Sequence, residues 1–269
     1  MKVLSLGDIH GRDVWKTILF GSNVAYDHWK IAVFEGAPFD YDESLPFMEY
    51  DQIIFVGDYV DSFDIYSALI IHNLKEIIEF KKAVGDKVIL LIGNHDISYF
   101  VDGHRCSGHR PESQIDIDLI FKGNLDLFKF AHQLEITGKT YLWTHAGVTN
   151  NWLKEMRSEL YSGTMRFADI VKESPTDTYE DELNLAWQFK LPSIFNCDAD
   201  SGGYSSYAGP VWVRPRRLNH DAVRGINQIV GHTMRDRVIE TKVNDDTTLW
   251  YIDCLEFGDE KAFKLIIDT

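Results

Sequence analysis

Residues 52–96 read QIIFVGDYVDSFDIYSALIIHNLKEIIEFKKAVGDKVILLIGNHD. The runs QIIFV at 52–56 and KVILLI at 87–92 are short, apolar and rich in Val and Ile, the pattern of strands buried on both faces. Between them Ile70, Leu74, Ile77 and Ile78 recur at helical spacing, and Gly85 supplies a stop. A strand, a helix and a second strand in this order imply a parallel pair with a crossover. Each strand runs straight into a polar cluster, Gly57-Asp58-Tyr59-Val60-Asp61 after the first and Gly93-Asn94-His95-Asp96 after the second.

Working outward, the same arrangement recurs. KVLSL at 2–6 leads into Gly7-Asp8-Ile9-His10-Gly11, TYLW at 140–143 into Thr144-His145-Ala146-Gly147, and INQIV at 226–230 into Gly231-His232-Thr233. Ligands of open α/β sheets bind outside the carboxyl ends of the strands. Five such ends, taken as adjacent, therefore converge on one site. The Asp, Asn and His residues of these clusters form a mixed oxygen and imidazole set, which suits Mn, Fe or Zn. Six or seven donors exceed the need of one tetrahedral ion. They favour two ions about 3.5–4 Å apart with a carboxylate between them.

The remaining chain predicts a second helical region over 112–134, with Ile117, Phe121, Leu125 and Phe128 on one side. Residues 149–190 read as mostly helical and 191–220 as a long loop, whose 195–210 stretch is either a lid or a mobile surface segment. INQIV at 226–230, RVIET at 237–241, TLWYID at 248–253 and AFKLII at 262–267 suggest a closing set of strands, mostly antiparallel. The aromatic and acidic stretch between residues 12 and 50 has no assigned role beyond a rim for the substrate cleft.

Composition fits an ordinary globular chain: 269 residues, 45% hydrophobic and 26% charged, read as a single domain over 1–269. A net charge of −15 argues against nucleic-acid or anionic-membrane partners held by bulk electrostatics. It leaves phosphate-bearing substrates open, because a bound cation reverses the local sign. Cys106, Cys197 and Cys254 show neither a disulfide framework nor a thiolate zinc spacing. With no signal-peptide core before Gly7 and no apolar run near ~18 residues, the expected location is cytoplasmic.

The clusters GDIHG, GDYVD, GNHD, THAG and GHT, in this order, resemble the calcineurin-like metallophosphoesterase superfamily. The wording is nearest its PPP-type branch of serine/threonine phosphatases and symmetrical diadenosine tetraphosphate hydrolases. The resemblance implies an α/β fold, a two-sheet β-sandwich of mixed strands flanked by helices, with the active site at the carboxyl ends of the strands. It implies that Asp8 and His10 bind a first metal, that Asp58 bridges, and that Asn94, His145 and His232 bind a second. The cofactors would be two divalent ions, Mn first, with Fe or Zn suiting the same donors. A hydroxide bridging them would attack phosphorus. His95 would protonate the leaving oxygen, held by Asp61, while Arg214 and Asn94 would bind the substrate phosphate.

Two positions depart from that pattern. Ser62 stands where the branch carries a phosphate-binding arginine after GDYVD, and GNHD ends in Asp96 rather than Glu. Arg105 or Arg110, in HRCSGHR at 104–110, is expected to supply the missing charge. The resulting function is hydrolysis of phosphate monoesters, of phosphoproteins or small esters, in the manner of serine/threonine phosphatases. The alternatives are hydrolysis of dinucleoside polyphosphates or other phosphoanhydrides, a phosphodiesterase, and a non-catalytic scaffold.

Overall fold

The computed structural model of the protein describes residues 1–35, 45–100, 105–162, 177–197, 202–256 and 261–266. Its first sheet is built from β1 (Lys2–Leu6), β2 (Gln52–Phe55), β3 (Val88–Leu91), β4 (Phe128–Lys129) and β10 (Phe263–Ile266). The order is β10-β1-β2-β3-β4, parallel from β1 to β4 with β10 antiparallel at the edge. The second sheet holds β5 (His132–Ile136), β6 (Lys139–Trp143), β7 (Ile226–Val230), β8 (Ile239–Asn244) and β9 (Thr247–Tyr251), in the order β5-β6-β7-β9-β8.

Period-two alternation sorts the strand residues between two cores. Val3, Ile54, Ile89 and Leu91 meet Tyr141, Trp143 and Ile229 of the second sheet. Leu4, Leu6, Ile53, Phe55 and Leu90 face the other way, into the helical layer. Among the described residues, polar contacts cross between the sheets from the Trp143 indole N–H to Ser5 Oγ at 2.9 Å and between His132 Nε2 and Gln52 Oε1 at 2.8 Å. The helices are α1 (Val14–Phe20), α2 (Asn23–Glu35), α3 (Ser67–Val84), α4 (Asn94–Ile97), α5 (Gln114–Lys122), α6 (Asn150–Ser162), α7 (Tyr179–Gln188) and α8 (Pro215–Asp221). No helix among the described residues is long and apolar enough to cross a membrane.

The strand–helix–strand unit forms as its spacing implies. Ile70, Leu74, Ile77 and Ile78 are buried, and α3 stops at Gly85 with φ 75°. Other expectations are corrected. The carboxyl ends that carry the motifs belong to two sheets, β1, β2 and β3 in one and β6 and β7 in the other. The closing strands are mixed rather than mostly antiparallel. A hairpin joins β8 to β9 antiparallel, while β9 pairs with β7 in parallel. Over 112–134 the helix covers only Gln114–Lys122. The Gly123-Asn124 pair ends it, and the chain turns into β4 and β5.

The stretch between the first two motifs also has a structural use. Trp15, Phe20, Tyr26 and Trp29 of α1 and α2 are buried with Phe47 and Phe80 in edge-on and tilted aromatic contacts. They seal α3 over the first sheet. Glu76, buried on α3, is met by the Lys16 ammonium at 2.5 Å and by Lys30 at 3.2 Å, so its charge is paired on both oxygens. Residues 36–44 of this stretch lie outside the described residues, as do His104, 163–176 of the long helical region and 198–201 of the loop.

Candidate active site

The main chain is bent hard at the strand ends. Six non-glycine residues among those described have φ in the left-handed region, and four of them are His10, Asp58, Asp61 and His232, at 45°, 52°, 60° and 65°. Each costs on the order of 1–3 kcal/mol, a large share of an ordinary domain stability of about 5–15 kcal/mol. Packing and hydrogen bonds must hold them there. Asp96, fully buried, takes the Asp58 and Gly93 amides on one oxygen at 2.8 and 2.9 Å and the Tyr59 amide on the other at 2.8 Å. The last residue of GNHD is therefore a clamp that fastens the β3 end to the β2 end. Burial and the neighbouring Asp58 push its carboxyl up to about 7, against the pull of those amides.

Glycine is required where the ends meet. A Cβ on Gly93 would lie 2.1 Å from Asp58 Oδ1 and 2.5 Å from the Asp58 nitrogen. Gly93→Ala is expected to displace Asp58 and lower metal affinity roughly 10–100-fold, the usual scale for loss of a supporting contact at a metal site. Calorimetric titration with Mn²⁺ checks this, and wild-type affinity in the variant would remove the close approach as a cause.

The predicted donors come together. His10 Nδ1 lies 2.8 Å from the Asp61 carbonyl, His145 Nδ1 2.8 Å from the Val56 carbonyl, and His232 Nε2 3.0 Å from the Trp212 carbonyl. A nitrogen beside a carbonyl carries the proton, so in the neutral ring the other nitrogen is the acceptor, available to a cation. Those other nitrogens face inward. His145 Nε2 is 3.3 Å from Asp58 Oδ2, His10 Nε2 is 3.8 Å from the same oxygen, and His145 Nε2 and His232 Nδ1 each lie 2.9 Å from Asn94 Oδ1. Two groups could hold an ion: His10 with Asp58 and His95, and Asp8 with Asp58 and His145, each with donor atoms within 4.8 Å of one another. Asp58 belongs to both.

The electrostatics fit such ions. Burial opposes the charge on Asp58, but His145, His95 and His10 outweigh it and hold the carboxyl well below the usual range. Burial pulls His145 down while Asp58 and Asp8 push it up further, to about 10. Burial and Asp253 raise Asp8. His232 is lowered by burial, then by His145 and Arg214. A proton on His145 thus answers the two carboxylates that a divalent cation would answer, and binding the cation requires that proton to leave.

Beside this cluster stands His95. Its Nδ1 lies 3.2 Å from Asp61 Oδ2, and its backbone N–H donates to Asp58 Oδ1 at 2.9 Å. The second Asp61 oxygen accepts the Tyr99 hydroxyl at 2.6 Å, and Tyr99 in turn lies 3.2 Å from His109 Nδ1. Asp61 is buried with both oxygens engaged, and its backbone carbonyl also holds His10.

Residues 1–236 match the family model for calcineurin-like phosphoesterases. The chain belongs to that family. As a calcineurin-like phosphoesterase it is a metal-dependent hydrolase. A comparison with curated proteins finds no match. Among solved structures, a cold-active protein-tyrosine phosphatase of a psychrophilic Shewanella shares the fold at 20% identity and TM-score 0.51, over 94% of this chain and 71% of that one. The phosphatase domain of the Legionella effector WipB aligns at 13% identity and TM-score 0.48, over 87% of this chain and 100% of that one. A Saccharomyces cerevisiae serine/threonine phosphatase with similarity to human PP5 aligns at 16% identity and TM-score 0.35, over 93% and 67%.

In the phosphoesterase the donor cluster opens into a cavity of about 430 Å³ that Arg105 and Arg214 also line. Arg214 is braced by the His232 carbonyl at 3.3 Å and Thr233 Oγ1 at 3.2 Å. Arg110 is directed elsewhere, with Nη2 on the Ser62 and Phe63 carbonyls at 3.3 and 3.5 Å. Asp253 lines the cavity too and is buried, two residues past the end of β9, and it makes a sixth strand end with a carboxylate. The sequence held one signal for it, an acid closing the apolar run TLWYI, without the glycine that marked the other five.

Proposed function

We propose that this phosphoesterase hydrolyses phosphate monoesters using two divalent cations, one near Asp8, His10 and Asp58, the other near Asp58, Asn94, His145 and His232. The observation that carries the reading is the tethering of three imidazoles to backbone carbonyls, each with its free nitrogen turned toward Asp58 or Asn94. Bound there, such cations supply an activated water and neutralise charge on the phosphoryl oxygens. The chain's own groups do the rest. Arg214 and Arg105 offer guanidinium donors to the phosphate. His95, its Nδ1 engaged by Asp61, presents Nε2 to the leaving oxygen and gives it a proton. Burial lowers His95, yet Asp58 and Asp61 raise it on balance, which favours the protonated acid. Manganese is our first choice of ion. The three cysteines are free thiols, which suits a reducing, cytoplasmic setting.

The test is turnover of p-nitrophenyl phosphate after the metal is stripped and Mn²⁺ restored. We expect activity to vanish and return. Arg105→Ala is expected to lower kcat/KM roughly 10–100-fold, the scale of a hydrogen bond to a charged group, and Arg110→Ala to leave it near wild type. Equal effects of the two variants would return the phosphate contact to Arg110, and activity indifferent to metal would remove the proposal.

A further inference from the structure

A second cavity, of about 380 Å³, adjoins the first and shares His10, His95, Ser107 and Met234 with it. The phosphoryl group belongs on the side of Asp58, Arg105 and Arg214. The group that departs must reach His95, and the space open beyond His95 is this second cavity. We infer that it receives the leaving group, and that the leaving group it fits is an uncharged aryl alcohol. This rests on the monoesterase reading above and narrows its substrate class.

Two properties of the walls carry the inference. The first is charge. Among the described lining residues the one guanidinium, Arg12, is engaged by Asp64 at 3.3 Å and by Glu256 at 2.9 Å. Ser62 gives its hydroxyl to Asp64 at 2.6 Å, a bond that also keeps that carboxyl low and ionised. Two surface carboxylates therefore face one cation, and the balance is acidic. A nucleotide or polyphosphate leaving here would bring several negative charges against that wall, with no unpaired guanidinium or ammonium among the described lining residues to meet them. The second property is apolar surface. Phe63 and Met234 line the same cavity and are 81% and 51% exposed, so two large apolar side chains stand in water at its mouth. A flat aromatic ring covers such surface and stacks or sits edge-on against Phe63. A seryl methylene is too short to do either.

The test uses the intact protein with Mn²⁺ restored and two peptides alike except for phosphotyrosine or phosphoserine. An aryl ester is intrinsically the easier to cleave, so the readout is the change in the tyrosyl-to-seryl ratio of kcat/KM. Phe63→Ala should lower that ratio by about tenfold, the loss of one aromatic contact. The exposure of Phe63 makes a folding defect an inadequate explanation. Asp64→Asn combined with Glu256→Gln releases Arg12 and should raise kcat/KM for diadenosine tetraphosphate about tenfold, the scale of one recovered charge-assisted contact. A ratio unmoved by Phe63→Ala overturns the inference and leaves the monoesterase reading standing, whereas wild-type cleavage of the tetraphosphate faster than of the tyrosyl peptide overturns both. Absence of turnover on both peptides removes the reading and the inference together.

Discussion

Asp58→Asn should lower kcat by at least about a thousandfold, the scale of removing one member of a cooperating catalytic unit, and should reduce the bound metal as well. The substitution is nearly isosteric. An asparagine oxygen can still accept the His95 amide that Asp58 Oδ1 accepts at 2.9 Å, so the α4 start keeps its support. The charge is what disappears, and both candidate ion groups lose it at once because Asp58 is common to them. Three imidazoles that now surround an anion would surround a neutral amide. Metal analysis of the purified variant, beside its rate on p-nitrophenyl phosphate, reads both consequences. Full metal content with full activity would mean that Asp58 bridges nothing.

The second large effect belongs to His95. His95→Ala should cost roughly 10²–10⁴ in kcat on substrates with a poor leaving group, the usual contribution of a positioned general acid. The loss should be much smaller on p-nitrophenyl phosphate, whose leaving group departs without a proton. Metal content should stay at the wild-type level. The competing possibility is specific, since His95 also falls within ligand distance of His10 and Asp58. If the variant loses metal, and its rate falls alike on both kinds of ester, His95 is a ligand and the acid must be sought elsewhere. Its Nδ1 is engaged by Asp61, which leaves one ring nitrogen for either role.

Much of the site was legible because its parts are local. A buried strand running into a short cluster of glycine with Asp, Asn or His is a local pattern, and five such clusters in order point to one chemistry. The spatial arrangement was less legible. Hydrophobic periodicity reports which face of a strand is buried, not which strand lies beside it, so the division of the motifs between two sheets left no trace. Ile117, Phe121, Leu125 and Phe128 keep helical spacing across a real helix end, because only Gly123 and Asn124 mark the break. Arg105 and Arg110 are five residues apart in one loop, and nothing in their order says that one lines the cavity while the other holds the Ser62 and Phe63 carbonyls. Asp253 lacks the flanking glycine and passed as the last residue of a strand. The positive φ values at His10, Asp58, Asp61 and His232 were equally hidden, since these residue types adopt that region only where their neighbours compel it.

The carbonyl tethers on the three imidazoles bear on how such a chain can diverge. A carbonyl oxygen is present whatever side chain a residue carries. Substitution at Val56, Asp61 or Trp212 changes the side chain and leaves the acceptor that orients His145, His10 or His232. Only a change that moves the main chain removes it, and glycines at 57, 93 and 203 are places where an added Cβ would meet main-chain atoms, Gly203 against the Trp212 carbonyl itself. Orientation of the three rings thus depends on a few bare backbone positions, so random mutagenesis scored by activity would find losses at residues with no side chain at all as well as at the candidate ligands.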